Sequence, residues 1–350
     1  MEVVSKKIFS LIIPCHNPEK TIIRLFDSIA RQEVSNDDLE IIVVDDNSDS
    51  LDYREKLKTY GFNLIFTETN TNTHCPGNTR RKGMEYVSGQ WVFFADQDDF
   101  FEDSALLKVK DYILSNKENT MYVVSTIMRA YNPEADKCHH DFAHKQAWLH
   151  GKWYSVDNLI RPYNVNFKED LVTHEDVYFN SLVISTMVKL ESDWDYLDIY
   201  TYRWVDNPES ITRRTTKDRG YLYEHFNDYI VSAGEPYWKG AKNTNDPFYM
   251  NQIMMTLLHA YFYYEAVSYY DGAKDYVDVA MSIKNLIYQM VNDLNYSLDF
   301  IVDYIYMDPY KYDAVMEDCR ISSGKFIPKT SFRDFVYRLG KDIKEELNNG

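Results

Sequence analysis

No apolar run among the 350 residues is long enough to span a bilayer. The opening stretch, Met1 to Lys7, leads straight into a strand pattern and not into an export signal, so the expectation is a cytoplasmic protein, at most peripheral at the inner face of the membrane. Cysteine is scarce: Cys15, Cys75, Cys138 and Cys319 lack paired spacing, which excludes a disulfide framework and a CxxC metal knuckle and leaves reduced thiols as the default. Positive charge is also short. A formal net charge of -17 repels phosphate backbones, which argues against non-specific nucleic-acid binding and against adsorption to anionic lipid.

What is present is ordinary for globular chains, 45% hydrophobic and 27% charged, apart from 30 tyrosines. The length exceeds what one hydrophobic core usually serves, so two units are expected. FSLIIP (Phe9 to Pro14), LEIIVV (Leu39 to Val44), Asn63 to Thr67 and QWVFFA (Gln90 to Ala95) read as short buried strands. Helical spacing over Glu19 to Gln32 and Gly77 to Val87 alternates with them, which predicts an α/β fold with a mainly parallel sheet and helices on both faces. Met121 to Met128 is a further strand candidate, and Asp176 to Met187 a helix within an otherwise irregular stretch. Beyond Lys217 the pattern turns helical, around Pro247 to Tyr270, Ala273 to Leu294 and Ser331 to Leu347. The expected division is residues 1–215, carrying the chemistry, and a helical part over 216–350 that serves acceptor binding or oligomerisation.

Acidic residues collect where strands end, which is where ligands gather on open α/β sheets. Asp96-Gln97-Asp98-Asp99 follows the fourth strand, and carboxylates two apart there can aim hard oxygen donors at Mg²⁺ or Mn²⁺. Asp45-Asp46-Asn47-Ser48 follows the second strand, placed to accept hydrogen bonds from a base or ribose. Glu175-Asp176, after His174, opens a helix and could take a proton from an attacking hydroxyl. Each cluster taken alone is equally a cap or a dipole partner for the helix beside it.

Weaker signals surround these. Arg203, Arg213, Arg214, Lys217 and Arg219 form a basic cluster able to hold a diphosphate or an anionic acceptor, or simply a solvated linker. Cys138, His139, His140 and His144 have metal-ligand chemistry without a zinc spacing, so a surface loop is the better reading. The aromatics of AYFYYEAVSYY (Ala260 to Tyr270) surround their helix and favour packing over a sugar-stacking platform.

FSLIIPCHNPEKTIIRLFDSI, EIIVVDDNSDS, PGNTRRKGMEYVSGQWVFFADQDD, GKWYSVDNLIRPYNVNFKEDLVTHEDVYF and YRWVDNPESIT together resemble, in order and spacing, the inverting family 2 glycosyltransferases of GT-A fold, over roughly the first 60% of the chain. The resemblance places Pro14, His16 and Asn17 in the opening donor-site pattern. It implies Asp45 or Asp46 at the nucleobase, Arg80 at the nucleotide, Asp96 at the ribose or sugar, Asp98 on the metal and Asp176, beside Glu175, as base. Arg203 falls within the last matched segment. Asn47 stands for a usual glycine, Arg81 for asparagine, Cys75 for glycine and His16 for tyrosine. The implied activity is inverting transfer of a sugar from a nucleoside diphosphate sugar, a UDP-sugar foremost, to a glycan or other hydroxyl acceptor of the surface-polysaccharide or teichoic-acid type, with Mn²⁺ or Mg²⁺. Two readings stay open beside it: a virus-type enzyme glycosylating modified DNA bases, and a non-catalytic nucleotide-sugar or glycan-binding module.

Overall fold

A computed structural model describes residues 6–69, 75–115, 120–130, 138–141, 148–205, 225–244, 246–267, 276–323 and 327–348. The chain divides into two compact units, Met1–Ser210 and Ile211–Gly350. The boundary expected near residue 215 and the basic residues Arg213, Arg214, Lys217 and Arg219 lie outside the described residues.

In the first unit, β1 (Phe9–Cys15), β2 (Leu39–Asp45), β3 (Leu64–Glu68) and β4 (Trp91–Phe94) pair in parallel, in the order β3-β2-β1-β4. Their continuous apolar runs follow from burial on both faces. On one face Leu11, Ile13, Ile41, Val43 and Phe93 share a core with Ile22, Leu25, Phe26 and Ile29 of α1 (Ile22–Ala30). On the other lies α3 (Pro76–Met84), so close that a side chain added at Gly83 would meet Ile12 Cγ2 at 2.7 Å. A short helix, α2 (Tyr53–Lys58), links β2 to β3.

Beyond β4 the sheet becomes mixed. After β5 (Phe100–Phe101) and α4 (Ala105–Ser115), β6 (Tyr122–Ala130) pairs antiparallel with β8 (Lys152–Ser155), which in turn runs antiparallel to β4. The strand β9 (Asp195–Val205) lies parallel to β6 and antiparallel to β5. The stretch read from sequence as irregular therefore holds β8, a π-helical turn over Val156–Ile160 and β9. The last was obscured because aspartates interrupt its aromatic and aliphatic residues, half-exposing the strand's first half. Of the proposed Cys138, His139, His140 and His144 cluster, the first three lie on β7 (Cys138–Asp141), paired with β6. Their side chains, and His144 altogether, fall outside the described residues.

The helix α5 (Glu175–Lys189) is seated by rings. Phe179 stacks on Phe167 at 4.5 Å and meets Phe94 of β4 and Tyr154 of β8 edge-on at 5.5 and 5.2 Å. Burying such rings contributes about 1.5–3 kcal/mol each, and here it fixes the start of α5 against the ends of β4 and β8.

The described part of the second unit consists of α6 (Phe226–Asn243), α7 (Pro247–Val267), α8 (Tyr276–Asn292), α9 (Leu298–Tyr306), α10 (Pro309–Ser323) and α11 (Phe332–Asn348). The aromatic run of α7 serves packing: Tyr261 and Phe262 are fully buried, the former against Phe332 and Phe335, the latter against Tyr312. No described helix in either unit is long and apolar enough to cross a membrane.

Candidate active site

The order β2-β1-β4 makes the crevice beyond β1 and β4 the topological switch point of the sheet. There the loops are tied side to side. His16 N–H donates to Gln97 Oε1 at 2.8 Å and Gln97 Nε2 donates back to His16 O at 3.0 Å, joining the end of β1 to the end of β4. Asn17 N–H donates to Ser48 Oγ, its side-chain amide donates to Asp49, and Asp49 N–H returns a bond to Asn17 Oδ1, joining β1 to β2. Asn17 and Asn47 both adopt left-handed backbone, at φ 46° and 59°, a conformation asparagine tolerates better than other side-chain-bearing residues. That is why asparagine can replace the glycine of the related pattern at position 47. Pro14 is the last residue but one of β1 and is partly buried.

Asp45 and Asp46 separate into different duties. Asp45 is buried, accepting from Tyr53 OH and from Ser48 N–H, both at 2.7 Å, and so shapes its own turn. Asp46 accepts from Thr69 Oγ1 at 2.6 Å and ties β2 to β1 through its N–H to Cys15 O.

The centre of the site is Arg80. The residue is 5% exposed and its guanidinium forks, Nη2 donating to Asp96 Oδ1 and Nη1 to Glu175 Oε1, each at 2.7 Å. Two of the three acidic clusters read from the sequence thus meet on one side chain. Burial works against the cation, but Asp96 and Glu175 more than offset this and hold it protonated. For Asp96, burial favours the neutral acid, yet His150 and Arg80 keep its carboxyl well below the usual range.

Asp176 lies beside this pair. Burial first and the neighbouring Glu175 second push its carboxyl up to about 7, while the Val177 N–H, Arg80 and Lys152 pull the other way. Lys152 is itself pulled down to about 7 by burial, with Asp176 opposing that shift. His174, the residue before α5, is left-handed at φ 61° and is held neutral, pushed down to about 4 by burial.

Asp99 sits behind the site. It is fully buried, accepts from Tyr202 OH and Val205 N–H at 2.8 Å each, and its carboxyl is raised by burial and by Asp98 and Asp96. The Tyr202 hydroxyl in turn accepts from Asp96 N–H at 2.9 Å, and the His150 ring stacks on Tyr202 at 4.7 Å. Asp96, Asp99 and His150 offer ligand atoms within 4.8 Å of one another. Both Asp99 oxygens are already committed, and the Asp96 oxygen that Arg80 does not hold faces His150 Nε2 at 3.3 Å; Asp98, the metal ligand expected from the sequence, is partly buried and is not among these three.

Arg203 is not gathered into this cluster. Its guanidinium pairs with Glu102 and lies over the Phe100 ring at 5.6 Å. Sequence reasoning also missed His150, Lys152 and Tyr202. Lys152 and Tyr202 both fall within segments of the resemblance, GKWYSVDNLIRPYNVNFKEDLVTHEDVYF and YRWVDNPESIT, but neither is given a role there, and His150 lies just outside them.

Residues 10–174 match the model of the family described as Glycosyl transferase family 2. The chain is 25% identical over 201 residues to a poly(ribitol-phosphate) beta-glucosyltransferase of Bacillus spizizenii, covering 53% of this chain and 31% of the relative. It is 31% identical over 117 residues to the poly(ribitol-phosphate) beta-N-acetylglucosaminyltransferase TarS of Staphylococcus aureus, covering 33% and 20%. The chain thus spans less than a third of the length of these curated relatives. The crystal structure of S. aureus TarS 1-349 in complex with UDP shares the fold, with a TM-score of 0.50 and 18% identity over 91% of this chain and 92% of that one.

Proposed function

The first unit of this chain belongs to glycosyl transferase family 2, and on that premise we propose that the protein transfers one sugar from a UDP-sugar to a hydroxyl of a surface-polysaccharide or teichoic-acid-type glycan, with inversion at the anomeric carbon. The observation that carries this reading is the Arg80 bridge, which puts a strand-end carboxylate and the start of α5 on one side chain, next to Asp176. Relatives that glycosylate poly(ribitol-phosphate), and a structural neighbour solved with UDP, support the choice of donor and acceptor class.

In this reading His16, Asn17 and Asp46 line the nucleoside side of the crevice, with Pro14 and Asp45 shaping the turns that carry them. Arg80 holds Asp96 toward the ribose or sugar. Asp98 with Asp96 would hold Mn²⁺ or Mg²⁺, which when bound supplies charge neutralisation for a departing diphosphate. Asp176 accepts the proton of the acceptor hydroxyl, a duty best served by a group whose pKa lies near neutrality. Glu175 stays paired to Arg80 and does not compete for that proton. Attack by the acceptor oxygen itself, with no enzyme carboxylate as covalent nucleophile, gives inversion. Arg203 serves the β5–β9 edge, with its charge met by Glu102. The helical unit is proposed to bind acceptor or a second copy of the chain.

The test is release of UDP from UDP-N-acetylglucosamine and UDP-glucose with added Mn²⁺. Turnover by the native chain that disappears in Asp176→Asn, while UDP binding persists, supports the reading. Undiminished turnover in Asp176→Asn refutes the assignment of the base, and binding without turnover in the native chain favours a carbohydrate-binding module.

A further inference from the structure

Arg24 is a cation placed where a helix disfavours one. It stands in the first turn of α1, which holds no acidic residue, so the positive end of the helix dipole meets a positive side chain instead of a carboxylate. Its surroundings do not offset this. Arg31, Arg54, Arg80, Arg81, Arg161 and Arg203 each pair with a carboxylate, whereas Arg24 meets none within ion-pair distance among the described residues. In a chain of net charge -17 it is an uncompensated positive point.

The side chain is nonetheless held in place. Arg24 is partly buried, its Nη2 donates to Asp98 O, and its guanidinium carbon lies 5.9 Å from the centroid of the Phe100 ring. Arg203, paired with Phe100 across β5 and β9, lies over the same ring at 5.6 Å but has Glu102 to meet its charge. The Arg24 Nε is buried without an acceptor. Nη1 and the second hydrogen of Nη2 remain as donors unused by the described residues. The Asp98 carbonyl belongs to the turn that ends β4, at the rim of the crevice beyond β1 and β4. A cation fixed there against local preference marks a place where packing yields to binding.

Resting on the reading of this crevice as a sugar-nucleotide site, we infer that Arg24 is a phosphate-binding residue: from the start of α1 it offers its free guanidinium edge to phosphoryl oxygens at the turn carrying Asp96 and Asp98. The planar fork suits that ligand, since its N–H groups match two phosphoryl oxygens at once. An anion there also reverses the unfavourable contact with the α1 dipole. Phe100 and Asp98 O order the side chain beforehand, so little rotamer freedom is lost on binding. Two ligands of the proposed reaction carry this chemistry, the diphosphate of the donor and a phosphodiester in the acceptor chain.

The experiment compares the full native chain with Arg24→Gln, Arg24→Lys and Arg31→Gln by calorimetry at saturating Mn²⁺. The probes are UDP, uridine and a phosphodiester-linked polyol oligomer. Arg24→Gln is expected to bind a phosphate-bearing probe about tenfold more weakly, with uridine affinity unchanged. A loss confined to UDP assigns the site to the donor diphosphate, and one confined to the oligomer assigns it to the acceptor. Arg24→Lys keeps the charge without the fork and should lose about threefold for the same probe, which decides the matter if Arg24→Gln does not fold. Arg31→Gln, on the same helix, should bind every probe as the native chain does.

An equal loss for UDP and uridine would mean that Arg24 only holds the turn, and overturns the inference. So does binding of both phosphate-bearing probes that is absent or indifferent to Arg24. Failure of the underlying reading looks different: it appears as absent UDP-sugar turnover in the native chain or retained turnover in Asp176→Asn, neither of which depends on Arg24.

Discussion

Glu175 Cβ lies 2.8 Å from the point where a side chain on Gly77 would begin. The first turn of α3 and the first turn of α5 therefore touch through a residue with no side chain, and that closeness lets Arg80, one turn further along α3, reach Glu175. Gly77→Ala forces the two helix starts apart. We expect a loss of about 1–3 kcal/mol in unfolding free energy, read by denaturant titration. UDP-sugar turnover should fall further than stability alone explains, whereas a variant with native turnover would show that the contact is only packing.

Arg80 compensates two carboxylates at once. Arg80→Met leaves Asp96 and Glu175 without it in a buried setting, a change that costs about 3–5 kcal/mol. Arg80→Lys, a single-point cation that cannot fork, should recover part of the stability but not UDP binding measured by calorimetry. Equal UDP affinity in the lysine variant would remove Arg80 from the nucleotide site.

Asp176, with its carboxyl pushed up to about 7, sets the expected pH dependence. Below that value it holds a proton and accepts none, so kcat for UDP-sugar hydrolysis should rise as pH increases through about 7 and then level off. Asp176→Asn should flatten the profile at a rate lower by about 10²–10⁴. For stability the sign is opposite: a raised folded-state pKa favours the fold at low pH, and this contribution is lost as pH climbs from the unfolded value near 3.9 through about 7.

Tyr202 ties the Asp99 carboxylate to the backbone of Asp96, donating to Asp99 and accepting from Asp96 N–H. Tyr202→Phe keeps the ring that stacks on His150 and removes both hydrogen bonds. Leaving buried partners unmet costs about 1–3 kcal/mol, and the donor KM should rise as Asp96 loses its backbone restraint. A variant with native KM and lowered Tm would confine Tyr202 to a structural part.

Metal removal is the remaining test. Chelation should suppress UDP-sugar turnover and Mn²⁺ or Mg²⁺ restore it, with Asp98→Ala needing a higher metal concentration for the same rate. Metal-independent turnover in the native chain would take the cation out of the proposed chemistry.

Much of the first unit was legible because its code is local. Buried parallel strands read as unbroken apolar runs, and β1, β2, β3, β4 and β6 each lie within two residues of where those runs place them. The same holds for the acids at strand ends, since residues that terminate a buried strand sit at its rim. Strands such as β9, half-exposed and interrupted by Asp195 and Asp198, carry no such run and were lost among loops.

By itself, then, the chain's order of residues determined which segments are strands and helices in the parallel half and which acids stand at their ends, because both follow from solvent preference and spacing within a few residues. Tertiary structure alone decided that Arg80 binds Asp96 and Glu175 together, that Arg203 turns to Glu102, and that Lys152 is buried. Such partnerships join residues as many as 101 positions apart, and an ionisable group's charge state depends on which partners and how much water surround it.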